Sequence, residues 1–160
     1  MSLKSSSITR NIQDIETELV LQVFADRILL FITQIGKVGS LIQASIPPTA
    51  PLIPSSNLLS GSDSDMQPHP EQSLPSPPPS IQLTPLVGSA PSEQLQTLHS
   101  LYASQAATLV WLYTEARGGQ RKPVVVGIAL RKGHAETWDE DKQRKTFHGV
   151  MEMLQELLSK

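Results

Sequence analysis

Ile28-Leu29-Leu30-Phe31-Ile32-Thr33-Gln34-Ile35-Gly36-Lys37-Val38-Gly39-Ser40-Leu41-Ile42 decides the fold. Its first half is an apolar run in which alternate side chains leave opposite faces of a strand. Ile28, Leu30 and Ile32 take one face, Leu29 and Phe31 the other. Both faces are hydrophobic, so both need cover. The glycines around Lys37 invite comparison with the phosphate-binding loop. That motif needs a glycine at the place of Phe31 and a hydroxyl residue at the place of Val38. Neither is present, and the nucleotide reading fails. A tight strand-to-strand turn remains, with Gly36 and Gly39 free to take positive φ.

Working outward, Leu19–Ala25 reads as a strand before this one and Leu41–Ile46 as a strand after it, stopped by Pro47-Pro48. From 47 to 80 the composition changes. Ten of the chain's 13 prolines and eight serines lie there, without an aromatic residue. Such a stretch buries too little apolar surface to offset its ordering entropy and reads as a disordered loop. Ile81–Val87 follows as a fourth strand, with Pro85 pointing to an edge or a bulge. Ser89-Ala90-Pro91 opens a helix to about Ala106, striped by Leu95, Leu98, Leu101 and Tyr102. Leu109–Tyr113 reads as a fifth strand, apolar on both faces. Gly118-Gly119 turns into the sixth, Val124–Leu130. Thr137-Trp138-Asp139-Glu140 has capping-box spacing. The last helix follows, with Phe147, Val150, Met151, Leu154, Leu157 and Leu158 on one side.

These elements predict an α+β domain: a six-stranded antiparallel sheet with two helices on one face. The helices can cover only that face, so a partner subunit is expected over the other. Residues 1–16 read as a flexible N-terminus, favoured over a transit peptide by their shortness. Residues 17–160 read as a single domain carrying the disordered 47–80 loop.

Thr17-Glu18-Leu19-Val20-Leu21, Phe24 and the run Ile28–Gly39 together resemble the proteasome assembly chaperone 3 family of eukaryotes. The shared pattern is a hydrophobic strand, Thr-Gln, an apolar residue, Gly-Lys, an apolar residue and Gly. A looser second block covers the helix from Pro91, the stretch Thr108–Glu115 and Val124–Lys132. The loop at 47–80 is longer, and the last helix more extended, than that pattern. The resemblance implies a cytoplasmic, and also nuclear, non-enzymatic chaperone. It would pair with a related chaperone as a heterodimer and bind an α-type subunit, the fifth, during assembly of the 20S proteasome α-ring. Neither cofactor nor metal is implied. Gln34, Gly36, Lys37 and Gly39 are the candidate partner-binding residues, with Lys37 displayed between its glycines.

The remaining composition narrows the alternatives. The net charge of −2 supplies no general attraction to nucleic acid or anionic membrane. Aromatic residues are scarce and not interleaved with Lys or Arg, against single-strand binding. Without cysteine there are no disulfides, thiol nucleophiles or Cys-ligated zinc. The longest uncharged apolar run, Val124–Leu130, falls far short of the roughly 20 residues of a membrane span.

His69, His99, His134 and His148 lack metal-ligand spacing and read as solvated surface residues. Asp139, Glu140 and Asp141 complement a helix dipole, and Lys142, Arg144 and Lys145 make its solvated face. No Gly-x-Ser-x-Gly elbow occurs. Pro75-Ser76-Pro77-Pro78 lacks the basic flank of a polyproline ligand and reads as linker. Ser60 and Ser62, each three residues before an aspartate, are candidate phosphorylation sites. Two other classes stay open: a dimeric roadblock- or longin-like adaptor for a GTPase or trafficking complex, and a ligand-binding or enzymatic domain using the open sheet face.

Overall fold

A computed structural model describes residues 4–53, 74–131 and 139–160. In chain order the elements are β1 (Lys4–Ile12), β2 (Ile15–Val23), β3 (Ile28–Thr33), β4 (Ser40–Ser45), β5 (Gln82–Val87), α1 (Glu93–Ala116), β6 (Val124–Ala129) and α2 (Glu140–Ser159). The fold is the expected α+β class: six strands in the order β1-β2-β3-β6-β4-β5, with two helices packed on one face.

The core lies between that face and the helices. Leu19, Leu21, Ile28, Leu30, Ile32, Ile42, Val124, Val126 and Ile128 come from the sheet. Tyr102, Ala106, Leu109, Val110 and Trp111 come from α1, and Val150, Met151, Met153, Leu154, Leu157 and Leu158 from α2. Each large aliphatic side chain buried this way contributes about 1.5–3 kcal/mol relative to exposure. The indole N–H of Trp111 donates to the Lys122 carbonyl at 2.8 Å, tying α1 to the entry of β6.

Several expectations are corrected. Within the N-terminus expected to be flexible over 1–16, Lys4–Ile12 instead forms β1, paired antiparallel along its whole length with β2. Gln13 and Asp14 make its two-residue hairpin turn with φ of 50° and 63°. Such a turn needs positive φ at both central residues, usually announced by Asn-Gly or Asp-Gly. Gln-Asp gives no such signal. The conformation costs on the order of 1–2 kcal/mol per residue, and tertiary bonds offset it. The Gln13 side-chain amide donates to the Lys142 carbonyl (2.9 Å) and to Thr146 Oγ1 (3.0 Å) on α2. Arg10 pairs with Glu156 further along the same helix.

Leu109–Tyr113, expected as a strand, is the middle of α1. From Tyr102 to Trp111 only Ser104 escapes full burial. A helix buried nearly all round loses its polar face, and its apolar run then looks like a strand. Ser92 caps α1 by accepting from the Leu95 N–H at 3.3 Å, which leaves Pro91 outside the helix. Leu101, expected in the buried stripe, is 46% exposed.

The sheet is mixed rather than wholly antiparallel, because β3 and β6 run parallel. Strand β6 lies between β3 and β4, so the turn after β3 is no hairpin between neighbours. It crosses the end of β6.

The loop expected over 47–80 is described only at its flanks. Residues 54–73, with Ser60, Ser62 and His69, lie outside the described residues, as do His134, Thr137 and Trp138. The flanks are pinned. The Arg121 guanidinium donates to the Ala50 carbonyl (2.6 Å), and the Gln105 amide donates to that of Pro75 (2.8 Å). Pro75 and Pro78 are buried, so this segment does not display a polyproline ligand. Asp139 caps α2, accepting from the Lys142 N–H at 3.2 Å, and Glu140 and Asp141 fill its first turn as expected.

Candidate partner-docking site

The crossing of β6 explains the chemistry of Thr33–Gly39. Thr33 Oγ1 accepts from the backbone N–H groups of Ile35 (3.3 Å) and Lys37 (3.2 Å), curling the chain into a tip. Gln34 holds the base. Its N–H donates to the Ala129 carbonyl (2.9 Å) and its amide nitrogen to Thr17 Oγ1 (3.1 Å). Its amide oxygen accepts from the Arg131 N–H at 3.0 Å. One side chain thus joins the ends of β2, β3 and β6, and Gln34 acts within the scaffold.

Gly39, at φ 67°, passes directly over β6. A Cβ there would overlap the Ile128 carbonyl oxygen and lie 2.6 Å from its carbon. Gly36, at φ 65°, has open space around it. Among the four candidates, then, Gln34 and Gly39 build the crossing, while Gly36 and Lys37 sit at its exposed tip. Ile35 and Val38 flank Lys37 and are 47% and 49% exposed. Composition hid these two, because apolar residues beside glycines read as ordinary turn packing.

The larger surface is the sheet face away from the helices. Strand register places side chains across it in rows. The middle row runs Ser7, Val20, Phe31, Gly127, Leu41, Val87. On one side lies the row Ser5, Gln22, Leu29, Val125, Gln43, Thr84, and on the other Thr9, Glu18, Thr33, Ala129. The face is polar and acidic over β1 and β2, then apolar across β3, β6 and β4. Phe31 and Leu41 lean together over Gly127, where a Cβ would lie 2.6 Å from Phe31 Cδ1 and 3.1 Å from Leu41 Cδ2. Glycine at this point lets two large side chains form one continuous apolar patch. Val20, Leu29, Phe31 and Leu41 remain partly exposed, and Val87 is 58% exposed. Leu86, beside the bulge in the β4–β5 pairing, is also exposed.

Among the described residues no group of three His, Asp or Glu side chains is placed to hold a metal ion, and no helix is long and apolar enough to cross a membrane. His99, expected at the surface, is half-buried on α1, and desolvation pushes its imidazole below the ordinary value of 6.5. His148 contacts the Phe147 ring edge-on. Tyr102 is fully buried at the helix–helix seam, and its hydroxyl has no hydrogen-bond partner among the described residues. Burial pushes its phenol well above the usual range.

No protein-family profile matches the chain, and no curated protein matches it. Among solved structures, a chain from a chaperone complex for yeast 20S proteasome assembly is similar. It is 14% identical, aligned over 94% of this chain and 98% of that one, with a TM-score of 0.49.

Proposed function

We propose that this protein is a non-enzymatic assembly chaperone that docks a related chaperone on its open sheet face. The resulting heterodimer holds an α-type subunit, the fifth, while the α-ring of the 20S proteasome is built in the cytoplasm and nucleus. The observation that carries the docking step is the apolar row Val20, Phe31, Leu41, Val87 on a sheet face that neither helix covers. The resemblance of Thr17–Leu21 and Ile28–Gly39 to the chaperone family supplies the identity of the partners.

Six strands at ~4.8 Å spacing and six residues at ~3.3 Å rise give a face of roughly 24 by 20 Å. That is on the order of 500 Å² in projection, below the ~800 Å² that each partner of a stable complex contributes, so the rim of the sheet supplies the remainder in the proposed pair. Such a face has a desolvated apolar centre and a polar rim, here Ser7, Thr9, Glu18 and Gln22. The tip at Ile35, Lys37 and Val38 stands at one end of the same sheet and is the proposed contact to the α-subunit. Gly36 and Gly39 shape that tip. The mechanism is binding without chemistry: the pair presents one subunit in place and leaves when the ring closes.

The test is affinity capture of the tagged chain from its own cells, with mass spectrometry, beside a Phe31→Asp variant. The expected result is α-type proteasome subunits and one small partner of similar size, without mature β-subunits. Phe31→Asp should keep its fold by circular dichroism and lose the small partner. Recovery of a GTPase or trafficking complex without proteasome subunits would replace this reading with the adaptor one.

A further inference from the structure

The helix layer has a second feature, at the end of the sheet away from the tip. A cleft of about 250 Å³ opens there between the start of β1, the β2–β3 connection and the C-terminal ends of both helices. Its floor is aliphatic: Leu21, Ile28, Val110, Leu157 and Leu158, all buried, with Val23 beside them. Its rim is cationic. Lys4 and Arg117 stand at the mouth without an ion-pair partner among the described residues. Lys160 lies nearby, its ammonium 3.6 Å from Glu156. Among the described residues, no acidic side chain lines the cleft.

An aliphatic floor under a cationic rim complements a molecule with an apolar body and an anionic end. The walls also select against a peptide. Among the described residues, only Ser6, Tyr113 and Thr114 bring side-chain hydroxyls, and that of Thr114 already donates to the Val110 carbonyl at 2.7 Å. Amide groups entering this cleft would lose their hydration without enough partners, at a cost of about 1–3 kcal/mol each. An unbranched alkyl chain has no such groups, and each methylene buried favours binding.

We propose that this cleft binds a medium-chain aliphatic carboxylate, with the alkyl chain on Leu21, Val110, Leu157 and Leu158 and the carboxylate between Lys4 and Arg117. The head-group contact is charge-assisted and partly exposed, so it weakens with added salt.

Purified full-length protein is titrated with decanoate below its micelle concentration, using calorimetry and thermal melting. Decanol and decyltrimethylammonium serve as matched probes with the same chain and a neutral or cationic end. Saturable binding of decanoate, with a rise in melting temperature that the other two do not produce, is the expected result. The double variant Lys4→Gln, Arg117→Gln should bind decanoate about tenfold more weakly while melting normally without ligand. Because both side chains are exposed, this variant folds whether or not the cleft binds anything. Absence of decanoate binding, equal response to decanol, or unchanged affinity in the double variant would each overturn the proposal.

Discussion

Strand β3 carries two sets of nearly identical side chains with opposite fates. Ile28, Leu30 and Ile32 are 4%, 0% and 0% exposed under the helices. Leu29 and Phe31, one residue out of step, stay partly exposed on the open face. The first set is spent on folding. The second is buried less completely and, in the proposed reading, serves association. Hydrophobicity alone does not separate a core from an interface; what matters is whether the chain's own helices reach that face.

The strongest way to break this comparison is to truncate each set in turn. Leu30→Ala leaves a cavity among well-packed neighbours and should cost about 3 kcal/mol in urea unfolding. Phe31→Ala should cost the isolated chain less, about 1–2 kcal/mol, while abolishing partner capture. Equal stability losses would mean that the open face is already covered within this chain.

The two glycines of the tip sharpen the comparison at the scale of a single methyl group. Both have positive φ, so alanine at either is strained by roughly 1 kcal/mol. Only Gly39 faces backbone, so Gly39→Ala should cost about 3 kcal/mol or more, because the crossing over Ile128 must open. Gly36→Ala should stay near 1 kcal/mol. Thermal melting of the pair decides it.

Smaller still is the effect of the buried phenol. Tyr102→Phe removes a hydroxyl that has no partner among the described residues, and should leave stability unchanged or raise it by up to about 1 kcal/mol. The native phenol is held neutral, so the native state keeps its proton above pH 10.0 while the unfolded chain loses it. Wild-type stability should therefore fall as pH rises past that value, more steeply than in Tyr102→Phe.

His99 provides the smallest and opposite dependence. Its lowered native value means the unfolded chain binds the extra proton first on acidification. Stability from this group is complete above pH 6.5 and is lost as pH falls below it. His99→Gln should flatten that part of the curve, measured by urea titrations across mildly acidic pH.

Much of the architecture was legible where local signals agree. The strands around Ile28–Ile32, Leu41–Ile46, Ile81–Val87 and Val124–Leu130 carry the right composition between turn residues. The amphipathic pattern from Phe147 to Leu158 named the buried side of α2, where only Met153 was missed. Strand β1 was not legible, because its Gln13-Asp14 turn lacks the usual glycine or asparagine and its bonds reach α2 more than a hundred residues away. The Leu109–Tyr113 segment was misread because full burial removes helical periodicity. At the candidate site, the glycines and Lys37 were visible as a pattern. The clamp made by Gln34 was not, since Thr17, Ala129 and Arg131 meet it only after three strand ends converge.

By itself, the sequence determined the α+β class, the doubly apolar character of β3 and the failure of the phosphate-loop motif, because these depend on residue types at short spacing. The tertiary structure alone decided that β6 inserts between β3 and β4, that Gly39 must lack a Cβ, and that the apolar row from Val20 to Val87 lies on the face away from both helices. Those outcomes arise from strand order and register, which are set by competition among long-range pairings that no local window contains.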